Sequence, residues 1–129
     1  MPLTYRIDPD AHMLFITGEG IITQAERVQT MRAWWKDPAF KPSLDAFCDF
    51  SAAESTPTMS ELREIIALMG QHSENIGPQK IAILTAKPVT FGVARVFQTI
   101  AEDGLPLLEV RVFYDRKEVW AWLRPAAKP

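Results

Sequence analysis

Two hydrophobic rhythms take turns along the chain. Short runs alternate or are continuously apolar. Between them lie stretches in which apolar residues return every three or four positions. LTYRI (3–7) and HMLFIT (12–17) flank Asp8-Pro9-Asp10 and predict a β-hairpin, with the second strand stopping at Gly18-Glu19-Gly20. Thr23 followed by Glu26 has capping-box spacing, and Ile22, Ala25, Val28 and Trp35 then fall on one side of a helix that Pro38 stops. LDAFCDF (44–50) is a third strand. MSELREIIALMGQHSENIG (59–77) is a helix with Leu62, Ile65, Ile66 and Met69 as its stripe, ended by Gly77-Pro78.

KIAILTA (80–86) is almost wholly apolar, as a strand covered on both faces must be. VTFGVARVFQTIAEDG (89–104) is a third helix with Val93, Val96, Phe97 and Ile100 inward. LLEVRVFYD (107–115) alternates better, which places it nearer a sheet edge. Asp115 with Glu118 repeats the capping-box spacing and opens a short helix, RKEVWAWL (116–123).

The order β-β-α-β-α-β-α-β-α predicts an α/β domain with a mixed, mainly parallel sheet of about five strands. In such sheets the loops after the carboxyl ends of the parallel strands share one edge, where ligands bind. Three loops meet there: Gly18–Gly20, Ser51–Thr58 and Thr85–Thr90.

Composition narrows the classes. The 129 residues suit one domain, expected over 1–124, with 125–129 as a flexible tail. Fourteen basic against sixteen acidic residues leave a net charge of −2, which argues against nucleic acid as a partner. The single cysteine, Cys48, excludes an intrachain disulfide and reads as a buried thiol in an apolar strand. One cysteine and two histidines outside any motif predict no metal site. Neither GxGxxG nor GxxxxGK[ST] occurs, so no cofactor is expected. With no secretory signal pattern and no apolar run of membrane-spanning length, the expectation is a cytoplasmic protein without a membrane span. No cluster of acid, base and nucleophile has interpretable spacing, and a non-enzymatic role is expected.

Four segments together resemble the STAS fold of sulphate-transporter and anti-sigma-factor-antagonist domains, and within it the small bacterial SpoIIAA-like branch related to Sec14-type lipid-binding folds. They are YRIDPDAHMLFITGEGIIT, FCDFSAAESTPTMSELR, KIAILTAKPVTFGVARVF and VRVFYDRKEVWAWL. The resemblance covers nearly the whole chain. It implies a regulatory protein-interaction domain, with a phosphoacceptor hydroxyl at the helix after the third strand. Matching Asp49 to the strand-ending Asp of that family puts Thr58 at the acceptor position. Pro57 stands where the family motif has Asp, and Met59-Ser60 replace its Ser/Thr-Gly. The Sec14 kinship implies the alternative, a carrier for a lipid or other small molecule.

Thr58 has a second reading from spacing alone, because T-x-x-E to Glu61 is a capping box. Ser55, Thr56 and Ser60 are the neighbouring hydroxyls. With Lys87 and Thr90 they outline an edge suited to a small anionic group, since helix N-termini point the same way. Arg95 either pairs with an acid such as Asp49 or extends from its helix flank. Four tryptophans is rich for this length. Trp34 and Trp35 point about 100° apart, and the stripe through Val28 assigns Trp35 to the core. Trp34, and Trp120 on the last helix, are left as candidates for a homodimer or protein-partner interface.

Overall fold

The computed structural model describes residues 2–124. The tail expected over 125–129 lies outside them. The chain forms β1 (Leu3–Asp8), β2 (Met13–Gly20), α1 (Gln24–Lys36), β3 (Asp45–Ala53) and α2 (Met59–Gln71). A one-turn 3₁₀ segment (Ser73–Asn75), β4 (Gln79–Leu84), α3 (Pro88–Gly104), β5 (Leu108–Phe113) and α4 (Arg116–Leu123) complete it. The five strands make one sheet in the order β1-β2-β3-β4-β5. β1 and β2 are antiparallel, and every later pair is parallel.

The hairpin turns as its residues require. Asp8 Oδ1 accepts from the amides of Asp10 and Ala11, and His12 adopts the left-handed conformation (φ 59°) that closes the turn. Alternation then sorts the strand residues. Leu14, Ile16, Ala46, Cys48, Ile81, Ile83 and Val110 face one core, packed against α1, α2 and α3. Met13, Phe47, Ala82 and Leu84 face a second core under α4, with Val119 and Leu123. Phe15, Phe113, Trp120 and Trp122 flank this second core.

The strands run further than their apolar patterns. β2 continues through Gly20, and β3 runs past the expected loop start at Ser51 to Ala53. Thr17 pairs with Asp49 but Glu19 pairs with Ala52, so β3 carries one extra residue. Such a bulge reverses the alternation. It turns Ala53 inward after Cys48 and Phe50. Gly18 sits opposite the bulge, where an added Cβ would lie 2.6 Å from the Phe50 ring and 2.7 Å from Ile22. Gly20 has φ 65°, which favours glycine.

Two helix faces, one helix end and one cap differ from the sequence pattern. On α1, Ala25 is exposed and Met31 is buried, with Val28, Trp34 and Trp35 all packed against the core. Trp34 therefore lies inward: its ring meets Tyr5 edge-on at 6.1 Å. On α3 the buried residues are Ala94 and Ala101, whereas Val96 is 38% exposed. Small residues let this helix approach β5, and Val96, about 200° around the helix from Ala94, faces outward. α2 ends at Gln71, six residues before Gly77, and the 3₁₀ turn bridges the gap. The Asp115 cap also differs in detail: its side chain accepts from Lys117 N, not from Glu118.

Candidate functional site

α1, α3 and α4 each lie close along a strand, whereas α2 makes its near backbone approaches to α3 and the 3₁₀ turn. The result is a cavity of about 190 Å³ between the sheet and α1, α2 and α3. Its floor is strand residues such as Leu14, Cys48 and Ile83. Its walls include Met31, Trp34 and Trp35 of α1, Leu62 and Met69 of α2, and Phe97 of α3.

One end is polar. Arg27, the only charged side chain among the described lining residues, sits there with Ser55, Thr56 and Thr90. Capping fixes the position of Arg27. Thr23 Oγ1 accepts from Glu26 N at 3.2 Å, and Thr23 N donates back to Glu26 at 3.3 Å. This starts α1 so that residue 27 falls one turn before Met31 on the inner face. Arg27 Nη1 donates to Gln24 Oε1 (3.1 Å) and Nη2 to the Ile22 carbonyl (3.0 Å). The Glu61 carboxylate is 3.7 Å away, beyond hydrogen-bond reach. Burial lowers the Arg27 pKa, and the charges of Glu61 and Glu26 counter that in part.

The predicted site residues divide into two groups. Ser55, Thr56 and Thr90 are half-buried and line the cavity. The Ser55 hydroxyl latches the β3–α2 loop to the start of α1, accepting from Ile22 N (2.9 Å) and donating to Ile22 O (3.3 Å). Thr58, Ser60 and Lys87 are exposed and do not line it. Thr58 is the N-cap of α2 in a complete capping box: Glu61 N donates to Thr58 Oγ1 at 3.1 Å, and Thr58 N donates to Glu61 Oε1 at 2.9 Å. Lys87 holds the N-cap position of α3 without a side-chain cap bond.

Trp34 and Trp120 are half-buried, and each packs against aromatic neighbours within the domain. Trp120 lies against Phe15 at 6.1 Å and Phe47 at 5.4 Å under α4. Asp49 pairs with Arg116 at 2.6 Å and also accepts from Ser51, while Arg95 extends from α3 into solvent. Cys48 is buried in the cavity floor, and burial, with the neighbouring Asp49 charge, pushes its thiol up to about 12. No group of three His, Cys, Asp or Glu among the described residues is placed to hold a metal. No described helix is long and apolar enough to cross a membrane.

The stripe Ile22, Ala25, Val28 and Trp35 does not mark Arg27, because Ala25 suits either face of α1. Met31 was the usable signal. Residues 27, 31, 34 and 35 share a face at helical spacing, and Arg27 is the one polar member.

A solved structure matches this architecture over nearly its full length. It is an uncharacterized protein of the DUF3478 family with a SpoIIAA-like fold from Shewanella loihica PV-4. It superposes with a TM-score of 0.60 at 17% identity, covering 94% of this chain and 91% of its own. No family model and no curated protein matches the chain. At that identity the likeness shows the fold, which is SpoIIAA-like and agrees with the STAS resemblance in the sequence.

Proposed function

We propose that this SpoIIAA-like domain is a non-enzymatic binding protein that holds a small, largely apolar molecule between its sheet and helices α1, α2 and α3. The observation that carries the reading is the cavity of about 190 Å³ with its mainly apolar wall. Protein interiors are otherwise packed to crystal density. Wall atoms that face such a gap forgo the contacts they would make in a packed interior. An apolar guest restores those contacts. An engineered apolar cavity of about 150 Å³ takes benzene, so this one suits a single substituted ring or a medium acyl chain. Cys48, the nucleophile in the floor, is held protonated, which favours binding over covalent chemistry.

Thermal unfolding with a panel of one-ring and eight- to ten-carbon molecules tests the reading. A saturable rise in Tm supports it, since a guest at about one hundred times its Kd adds about 2.7 kcal/mol. No rise across the panel at millimolar concentration sinks it.

The protein-interaction reading is favoured by a different observation. Ile21, Met59, Val89 and Tyr114 are exposed apolar residues at the starts of the four helices, along the edge that carries Thr58. Light scattering of the purified protein tests for a homodimer there. A dimer that becomes monomeric in Val89→Glu supports the surface, and a monomer at all concentrations removes the homodimer.

A further inference from the structure

We infer that the guest of this cavity is a carboxylic acid, an apolar body whose carboxylate is received by Arg27 at the polar end. The inference rests on the carrier reading and names the chemical class of its ligand.

The argument begins with the surroundings of one cation. The Arg27 side chain is 12% exposed, so the cation is largely covered by the protein. The hydrogen bonds it makes among the described residues go to neutral oxygens, Gln24 Oε1 and the Ile22 carbonyl. Its nearest carboxylate, on Glu61, stands off at 3.7 Å and is already engaged by the Thr58 amide. A charge taken out of water without a close counterion is costly. Glu61 supplies part of the compensation from 3.7 Å, and a carboxylate entering the cavity supplies a directly hydrogen-bonded partner. It also suits the forked donors of a guanidinium, which bind a carboxylate through two parallel bonds.

Position supports the same class. Arg27 and Ser55 both bond the backbone of Ile22, so the charge sits at one defined end of the cavity. Thr56 and Thr90 add hydroxyls to the lining. The wall from Met31 through Trp34 to Met69 is apolar, and Asn75 and Gln79 add the only other polar side chains among the described lining residues. A guest with one polar terminus and an apolar body of about eight to ten non-hydrogen atoms fills such a space. A cationic headgroup would oppose Arg27. A neutral one would leave Arg27 with only the looser pairing to Glu61 at 3.7 Å. Glu61, Glu26 and Glu64 are the acids nearby, Glu64 through its contact with Gln24 at 3.4 Å, and they weaken the attraction without cancelling it.

Calorimetric titration of the full chain with octanoate and 1-octanol, and with 3-phenylpropionate and 3-phenylpropan-1-ol, tests this. Each pair shares an apolar body and differs in charge. The expected result is a Kd at least about tenfold lower for the acid than for its alcohol, as a charge-assisted bond implies. In Arg27→Met, which keeps the stem, the gap closes and the alcohol Kd stays within about threefold. Glu61→Gln keeps the capping box and is expected to tighten the acid alone. Equal Kd values for acid and alcohol in the unaltered protein overturn the inference and leave the carrier reading standing. A gap that survives Arg27→Met also overturns it. If neither member of either pair binds, the carrier reading fails and the inference falls with it. The comparison on the unaltered protein stands even if Arg27→Met does not fold.

Discussion

Asp49 shows how one residue can be bound by opposing forces. Burial pushes its carboxyl up, but the hydrogen bonds from Ser51 and Arg116 win and hold it below its ordinary 3.8. A carboxyl whose folded pKa is depressed stabilises the fold above its unfolded pKa, and that contribution is lost as pH falls through the folded value. Asp49→Asn is therefore expected to be less stable than the unaltered protein at pH 7. The deficit should shrink as pH drops below 3.8. Denaturant unfolding at pH 7 and pH 3 checks it, and a deficit unchanged between them refutes the assignment. Cys48 has the opposite sign. Its thiol is raised from 9.0 to about 12, so its contribution is full below pH 9 and is lost as pH rises towards 12. A thiol reagent at pH 8 is expected to label Cys48 only as fast as the protein opens, and labelling at the rate of a free thiol would contradict its burial.

At the scale of elements, capping and turn chemistry were legible before any coordinates. Thr23 with Glu26 and Thr58 with Glu61 form the two reciprocal boxes that their spacing announced. Thr58→Ala is expected to cost about 1 kcal/mol, a fall in Tm of roughly 3–5 °C for a domain of this size. A change under 1 °C would mean the box does not hold the start of α2. The order of strands and the edge position of β5 were equally legible, because alternation and continuous apolar runs report how many faces a strand buries. Two features were not. The β3 bulge leaves no mark in a pattern of apolar residues, and it decides which way Ala53 points. The face of α1 is ambiguous in the sequence because Ala25 is compatible with either side, whereas Met31 and Trp34 need cover. That ambiguity hides Arg27, whereas Ser55, Thr56 and Thr90 of the same polar end are legible in the sequence. Gly18→Ala probes the bulge region directly. Its Cβ would meet the Phe50 ring, at an expected cost of about 1–3 kcal/mol, measured by the urea midpoint.

For the whole molecule, the spacing between α2 and the sheet sets stability against binding. If the cavity is kept open for a guest, filling it with protein atoms should strengthen the fold and exclude the guest together. Ala94 on α3 is 8% exposed and lines the space. Ala94→Leu adds three carbons, worth about 2 kcal/mol at roughly 0.8 kcal/mol per buried CH₂ if they enter without strain. The expected outcome is a higher Tm for the protein alone and a smaller Tm rise with an apolar guest, read in one pair of melting curves. A close-packed interior would respond in the other direction, losing about 1–3 kcal/mol to overpacking. The sign of that single change therefore separates a space that belongs to a ligand from a core that is already full. A rise in Tm with guest binding undiminished would place the guest elsewhere on the protein.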